Sequence, residues 1–185
     1  MAVVLTRVDN RLVHGQVLEA WMPKLDVTTV VVVDDGVAGD FLRQTIMEIA
    51  VPSQINCSFV RVDEVKETLD KLDGRAQRVM MLFSGIKDVR NALRMGVPIE
   101  RINIGNVHFQ KGKQRITPCV SLDEDELAWL MEIVRRARVE IRALPDDTAL
   151  IFPDCLEKGN GWQCEIPQKH KWWERLREWL NFKPT

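Results

Sequence analysis

No stretch of this sequence approaches the ~20 continuous apolar residues that a membrane-spanning helix requires, so no transmembrane anchor is expected. An excess of one charge is lacking as well. The chain carries 26 Lys and Arg against 27 Asp and Glu, and without a net field it has no counterion-release drive toward nucleic acid. Its four cysteines, Cys57, Cys119, Cys155 and Cys164, contain no C-x-x-C pair. That removes the spacing of a zinc knuckle and of a disulfide framework, and reduced thiols are expected. The first residues, Met1 to Arg7, have a short apolar run and no small-residue cleavage site, unlike a secretory leader, so a cytoplasmic location is expected. Also missing are a G-x-G-x-x-G after the first strand and any G-x-x-x-x-G-K-[ST], the loops that cradle nucleotide phosphates; a nucleotide-binding role is therefore disfavoured.

What is present fits one main α/β domain in 185 residues. Apolar, β-branched runs at 3–5, 28–33, 55–62, 78–83, 101–104 and 139–142 read as strands. The unbroken run at 28–33 suits a strand buried on both faces. Between them, helices are expected at 15–22, closed by Pro23, and at 41–49, 64–72, 86–95 and 124–136. Asp63 is the expected cap of the third, Gly96 with Pro98 the stop of the fourth, and Ser121 to Glu124 a capping box for the last. Regular alternation predicts an α/β fold: a mostly parallel central sheet with helices on both faces, ligands binding at the carboxyl ends of the strands. After residue 144 the composition changes. Pro145, Pro153, Gly159, Gly161 and Pro167 punctuate a stretch that reads as a linker over 145–167. Residues 168–185 read as a Trp-rich helical extension with Trp172, Trp173, Leu176, Trp179, Leu180 and Phe182 at roughly helical spacing.

The chemistry concentrates in Arg7-Val8-Asp9-Asn10-Arg11-Leu12-Val13-His14-Gly15-Gln16-Val17. A neutral imidazole presents a lone pair near physiological pH, so His14 can attack phosphorus without losing a proton to a separate base. Arg11 can hold two phosphate oxygens with its planar fork. In an extended segment Asp9 and Arg11 project to one side, so Asp9 can fix the guanidinium or hydrogen-bond the ring of His14. Gly15 leaves room for a phosphate near the backbone, and the helix start at Gly15 and Gln16 offers N–H groups. No metal and no cofactor is required. On residue types alone, an ordinary loop histidine beside a local ion pair between Asp9 and Arg11 is the favoured reading.

This run resembles the signature of the phosphotransferase-system IIB components of the mannose/fructose/sorbose family, R-[IV]-D-x-R-L-[IV]-H-G-Q-V. Similarity extends through Val31 to Ala38, Arg78 to Ser84, Ile102 to Asn106 and Ser121 to Glu124, covering about residues 1–143. The resemblance implies a phosphocarrier domain over 1–144 with the family's mainly parallel sheet. It implies that His14 takes a phosphoryl group from the phosphohistidine of a IIA protein and gives it to a sugar bound by the membrane IIC and IID subunits. A cytoplasmic protein held peripherally at the inner membrane by its partner subunits is implied too, with a homodimer left open. The chain departs from the pattern at Asn106, where the family commonly has a second glycine, and in the extension beyond Leu144. That extension motivates an alternative: a regulatory phosphoprotein or adaptor on the same fold, acting through its Trp-rich tail.

Lesser signals remain two-sided. Ser84 and Gly85 follow a strand end and are candidate phosphate donors or a plain turn. Asp34 and Asp35 would repel a phosphoryl group and read as turn or helix-cap residues. Lys111, Lys113 and Arg115 form a local basic stretch, either a docking rim for an acidic partner or a solvated turn. His108 and His170 lack the Arg and Asp neighbours of His14 and read as ordinary histidines. The aromatic extension is compatible with a membrane interface, with the chain's own sheet, or with a second copy.

Overall fold

Five successive residues, Thr29–Val33, form a strand buried along its whole length, because side chains alternating about a strand are covered on both sides only inside an α/β sandwich. The structure is a computed structural model and describes residues 1–72 and 76–154. In chain order the elements are β1 (Ala2–Asp9), a wide helical turn (Gln16–Trp21) running into α1 (Met22–Lys24), β2 (Thr29–Val33), α2 (Asp35–Ala38), α3 (Phe41–Ala50) and β3 (Asn56–Val60). A 3₁₀ turn (Val62–Glu64) leads into α4 (Val65–Leu72), followed by β4 (Arg78–Phe83), α5 (Ile86–Arg94) and β5 (Arg101–Asn106). Then come β6 (Gln114–Thr117), β7 (Val120–Leu122), α6 (Glu124–Ile133), β8 (Arg138–Ile141) and β9 (Leu150–Phe152).

The sheet has the order β3-β2-β4-β1-β5-β8-β9. Its strands are parallel except β9, which runs antiparallel to β8. The parity of β2 separates two cores. Val31 and Val33 pack with α4, α5 and α6, while Val30 and Val32 pack with Leu12, Val17, Trp21, Met22 and Val37 on the other face. The expected mostly parallel sheet with helices on both faces is thus the observed architecture. From β1 the chain runs outward to β2 and β3, returns with β4, and crosses to β5 on β1's other side. Order therefore reverses at β1, where an open α/β sheet leaves a crevice at its strand ends.

Several local expectations change. Pro23 does not close the first helix. It sits in the first turn of α1, where its missing N–H costs nothing. The cap of α6 is Asp123, one half of a reciprocal box with Glu126, rather than Ser121 with Glu124. At α4 the chain enters through a 3₁₀ turn in which Glu64 accepts from the Arg61 N–H, in place of a cap by Asp63. Gly96 does end α5 in the left-handed region at φ 81°. Asp34 caps α2 by accepting from the Val37 N–H at 2.7 Å.

A further difference lies after residue 144. Within the expected 145–167 linker, Leu150–Phe152 forms the edge strand β9, with Phe152 buried against the first core. Three apolar residues between proline and threonine punctuation are too short to announce a strand. The rest of that stretch and the helix expected over 168–185 lie outside the described residues. Among the described residues no helix is long and apolar enough to cross a membrane.

Candidate functional site

β1 is the central strand, and its last residues carry the site. Val8 turns into the first core, so Arg7 and Asp9 point to the opposite face, both fully buried. The chain then folds back: the Leu12 N–H donates to the Asp9 carbonyl at 2.9 Å, and Leu12 takes φ 54°. A left-handed leucine costs roughly 1–2 kcal/mol. The buried Leu12 side chain, packed in the second core, holds it there. Next, the His14 carbonyl accepts from the N–H groups of both Val17 and Leu18, and the Met22 N–H reaches Val17 O, five residues back. Such π-type turns are frequent at functional sites.

This backbone returns His14 to the strand end. His14 Nε2 lies 2.9 Å from Asp9 Oδ2, with the side chain 15% exposed. The same oxygen accepts from Arg7 Nη2 at 2.9 Å, and Asp9 Oδ1 accepts from the Arg11 backbone N–H at 3.1 Å and Arg11 Nε at 3.3 Å. Burial alone pushes the Asp9 carboxyl up; the His14 hydrogen bond, the Arg7 charge and the Arg11 hydrogen bond overcome it and bring it down to about 2. Ionised at neutral pH, Asp9 can only accept, so Nε2 carries the proton and the neutral ring's lone pair is on Nδ1. Arg11 Nη2 also donates to Gln16 Oε1 at 2.8 Å, which fixes its fork at the mouth of the site. His14, Asp9, Arg11 and Gln16 thus come together as the sequence suggests. Gln16 holds Arg11 through its side-chain oxygen, so the donors it can turn to an anion are its amide NH₂ and its backbone N–H.

Gly15 has ordinary right-handed helical dihedrals and nothing within 4 Å of where a Cβ would stand. The fold does not require glycine there; open space does remain for a ligand. Ser84 is brought to the site through its backbone, its carbonyl accepting from Asn10 Nδ2 at 2.6 Å, but its hydroxyl is directed to Asp88 at 3.4 Å. Burial together with Asp34 and Asp35 raises the Asp88 carboxyl, so Ser84 and Gly85 border an acidic pocket of the rim. In the basic stretch, Lys113 is not a free docking cation, because its Nζ is 2.5 Å from Glu126 Oε1 and both side chains are largely covered. Arg115 lies over the exposed Phe109 ring, and Lys111 is exposed.

Sequence reasoning missed three residues. Arg7 backs Asp9 from inside the protein. Its guanidinium bonds Asn103 and the Ala143 carbonyl and lies 5.2 Å from the Trp21 ring centroid, with Arg142 5.1 Å from the same centroid. Trp21 is fixed in turn by donating Nε1–H to Ala143 O at 2.9 Å. Burial lowers the Arg7 pKa against the pull of Asp9. Asn10 is a hub: besides donating to Ser84 O, it accepts from the His108 N–H at 2.6 Å, tying the loops after β1, β4 and β5 together. The signal for Arg7 was its place in an otherwise apolar strand two residues before an aspartate. Asn106, where a glycine was expected, does not have positive φ, and its amide pairs with His108 Nδ1 at 3.0 Å. Among the described residues no group of three or more His, Cys, Asp or Glu is placed to hold a metal.

The class these features define is a doubly wound α/β protein presenting, at its topological switch point, a histidine buttressed by a buried carboxylate beside an arginine. The sequence profile of the PTS system sorbose subfamily IIB component matches residues 3–164, and the chain belongs to that family. It is 31% identical over 159 residues to the PTS system mannose-specific EIIAB component of Escherichia coli (strain K12), covering 85% of this chain and 49% of that protein. The chain thus spans about half the length of those EIIAB relatives. It is 33% identical over 155 residues to the N-acetylgalactosamine-specific phosphotransferase enzyme IIB component 1 of the same strain, covering 82% of this chain and 97% of that protein. The crystal structure of the IIBSor domain of the sorbose permease from Klebsiella pneumoniae superposes with a TM-score of 0.79 at 26% identity, covering 85% and 97% of the two chains.

Proposed function

We propose that His14 is the phosphoryl carrier of a sugar phosphotransferase system, loaded by the phosphohistidine of a IIA protein and discharged to a sugar bound by membrane IIC and IID subunits. The observation that carries this reading is the 2.9 Å bond from His14 Nε2 to the buried Asp9 carboxylate. It supports Nδ1 as the nitrogen that reacts, since Nε2 faces the Asp9 carboxylate. Nδ1 attacks phosphorus in line while the bond from phosphorus to the donor histidine's nitrogen breaks, returning that electron pair to the donor ring. The phosphorylated ring of His14 gains positive charge, and Asp9 stabilises it without taking the proton, as the carboxylate of a hydrolase triad does. Arg11 offsets the charge on the equatorial oxygens, and the backbone at Gly15 and Gln16 is open to them. In discharge the sugar hydroxyl attacks phosphorus and the P–Nδ1 bond breaks, its electron pair returning to the His14 ring, while the hydroxyl proton is released to water.

One relative is named a PTS system mannose-specific EIIAB component, which supports a IIA unit as the phosphoryl donor. The protein then works in the cytoplasm, held at the inner membrane by its partner subunits. The test is incubation with the general phosphotransferase proteins, a IIA partner and labelled phosphoenolpyruvate. Wild type should take up acid-labile, base-stable phosphate, and His14→Ala should take up none. Undiminished labelling of His14→Ala sinks the assignment.

A further inference from the structure

Helix α3 turns an apolar face outward. It has no buried residue, and Phe41, Leu42, Ile46 and Ile49 are 82%, 69%, 60% and 80% exposed. At ~100° per residue these four, with Thr45, fill one continuous arc of about 140° that contains no charge. Met47 packs into the second core from another side of the helix. Single exposed apolar residues are ordinary, whereas a contiguous patch of this kind marks a surface that something covers.

The same chain has a second apolar stripe. Trp172, Trp173, Leu176, Trp179 and Leu180, outside the described residues, fall within about 120° on the same helical count, with Arg175, Arg177, Glu174 and Glu178 off the stripe. The family match stops at residue 164, so the stripe is no part of what the family shares. Reach allows the two to meet. Residues 155–171 separate Asp154 from Trp172 and, extended at ~3.3 Å each, span up to ~55 Å. Crossing the sheet from β9 to β3, beside α3, takes about 29 Å at ~4.8 Å per strand. A segment tethered to its own target also has a high effective concentration, which a partner lacks.

We propose that residues 169–182 dock on the α3 face of their own chain, Trp172, Leu176 and Trp179 covering Phe41, Ile46 and Ile49. The proposal does not depend on phosphoryl transfer. It is tested on the full chain by the rate of tryptic cleavage after Lys169, Lys171, Arg175 and Arg177. Ile46→Asp/Ile49→Asp alters only exposed positions and should raise that rate at least ~tenfold, since it removes the apolar cover on which protection rests. Met95→Asp, at an exposed apolar residue away from α3, should leave it unchanged. Reciprocally, Trp172→Ala/Trp179→Ala should increase binding of an apolar dye several-fold, and adding the two α3 substitutions should abolish the increase. Equal cleavage rates in wild type and the α3 variant, or dye binding indifferent to the tail variant, overturn the proposal. So does protection that disappears on about hundredfold dilution, which assigns the face to a second copy.

Discussion

Replacing Asp9 by asparagine keeps the size of the side chain and removes its charge, and the structure supplies a magnitude. The Asp9 carboxyl falls from its ordinary 3.8 to about 2 in the folded protein. A depressed carboxylate contributes stability that is fully present above the unfolded value and is lost as pH falls through the folded one. The shift is worth ~2.5 kcal/mol at neutral pH. At pH 7 Asp9→Asn should cost more than this, about 3–5 kcal/mol, because Arg7 is left as a buried cation without its counter-ion. The difference between variant and wild type should then shrink by about 2 kcal/mol between pH 5 and pH 2, where the wild-type carboxyl is itself becoming neutral. Urea unfolding at a series of pH values measures it. Using the difference cancels other carboxylates titrating in this window, such as Glu132, held at about 2 by Arg94 and Arg90. Phosphoryl uptake should fall by ~10³–10⁴, since an amide can face His14 with its NH₂ and so favour the tautomer whose proton is on Nδ1. A stability difference constant with pH, or uptake within tenfold of wild type, refutes the role assigned to Asp9.

Other substitutions probe the surrounding parts. A Cβ on Gly105 would collide with the Arg7 guanidinium, which cannot yield without breaking its bonds to Asp9 and Asn103, so Gly105→Ala should lose ~2–4 kcal/mol in chemical denaturation. Arg11→Lys loses the fork that joins Asp9 to Gln16; stability should change by less than ~0.5 kcal/mol while rapid-quench transfer from the IIA donor slows ~10–100-fold, and equal rates would remove Arg11 from the mechanism. Burial, with Glu48 nearby, pushes the Cys57 thiol up to about 12, so at pH 8 its thiolate fraction is ~10⁻⁴ and alkylation mapped by mass spectrometry should leave it largely unmodified in the folded chain.

Strands covered on both faces announce themselves, and β2 and β4 stand where their apolar runs place them. Charged residues obscure an equally buried element: β1 runs on through Arg7 to Asp9, although polarity there reads as loop. Pairing makes that burial tolerable, and pairing across 96 residues to Asn103 cannot be read from spacing. The local grouping of Asp9 with Arg11 and His14 was legible because its members lie within five residues of one another. Lys113 shows the opposite failure: a basic run looks solvated until the fold delivers Glu126 to one of its charges. β6 and β7, a two-stranded antiparallel ribbon, and β9, paired with β8, are three or four residues each and carry little pattern of their own.

The indole of Trp21 meets two guanidiniums, one reaching Asp9 and the other rooted just past the end of β8. His14 therefore takes its position from the folded loop that carries it and, through Asp9 and Arg7, from three strands and a tryptophan. A substitution at Asn103 or Trp21, remote from the imidazole in sequence, would reach it through Arg7 and Asp9.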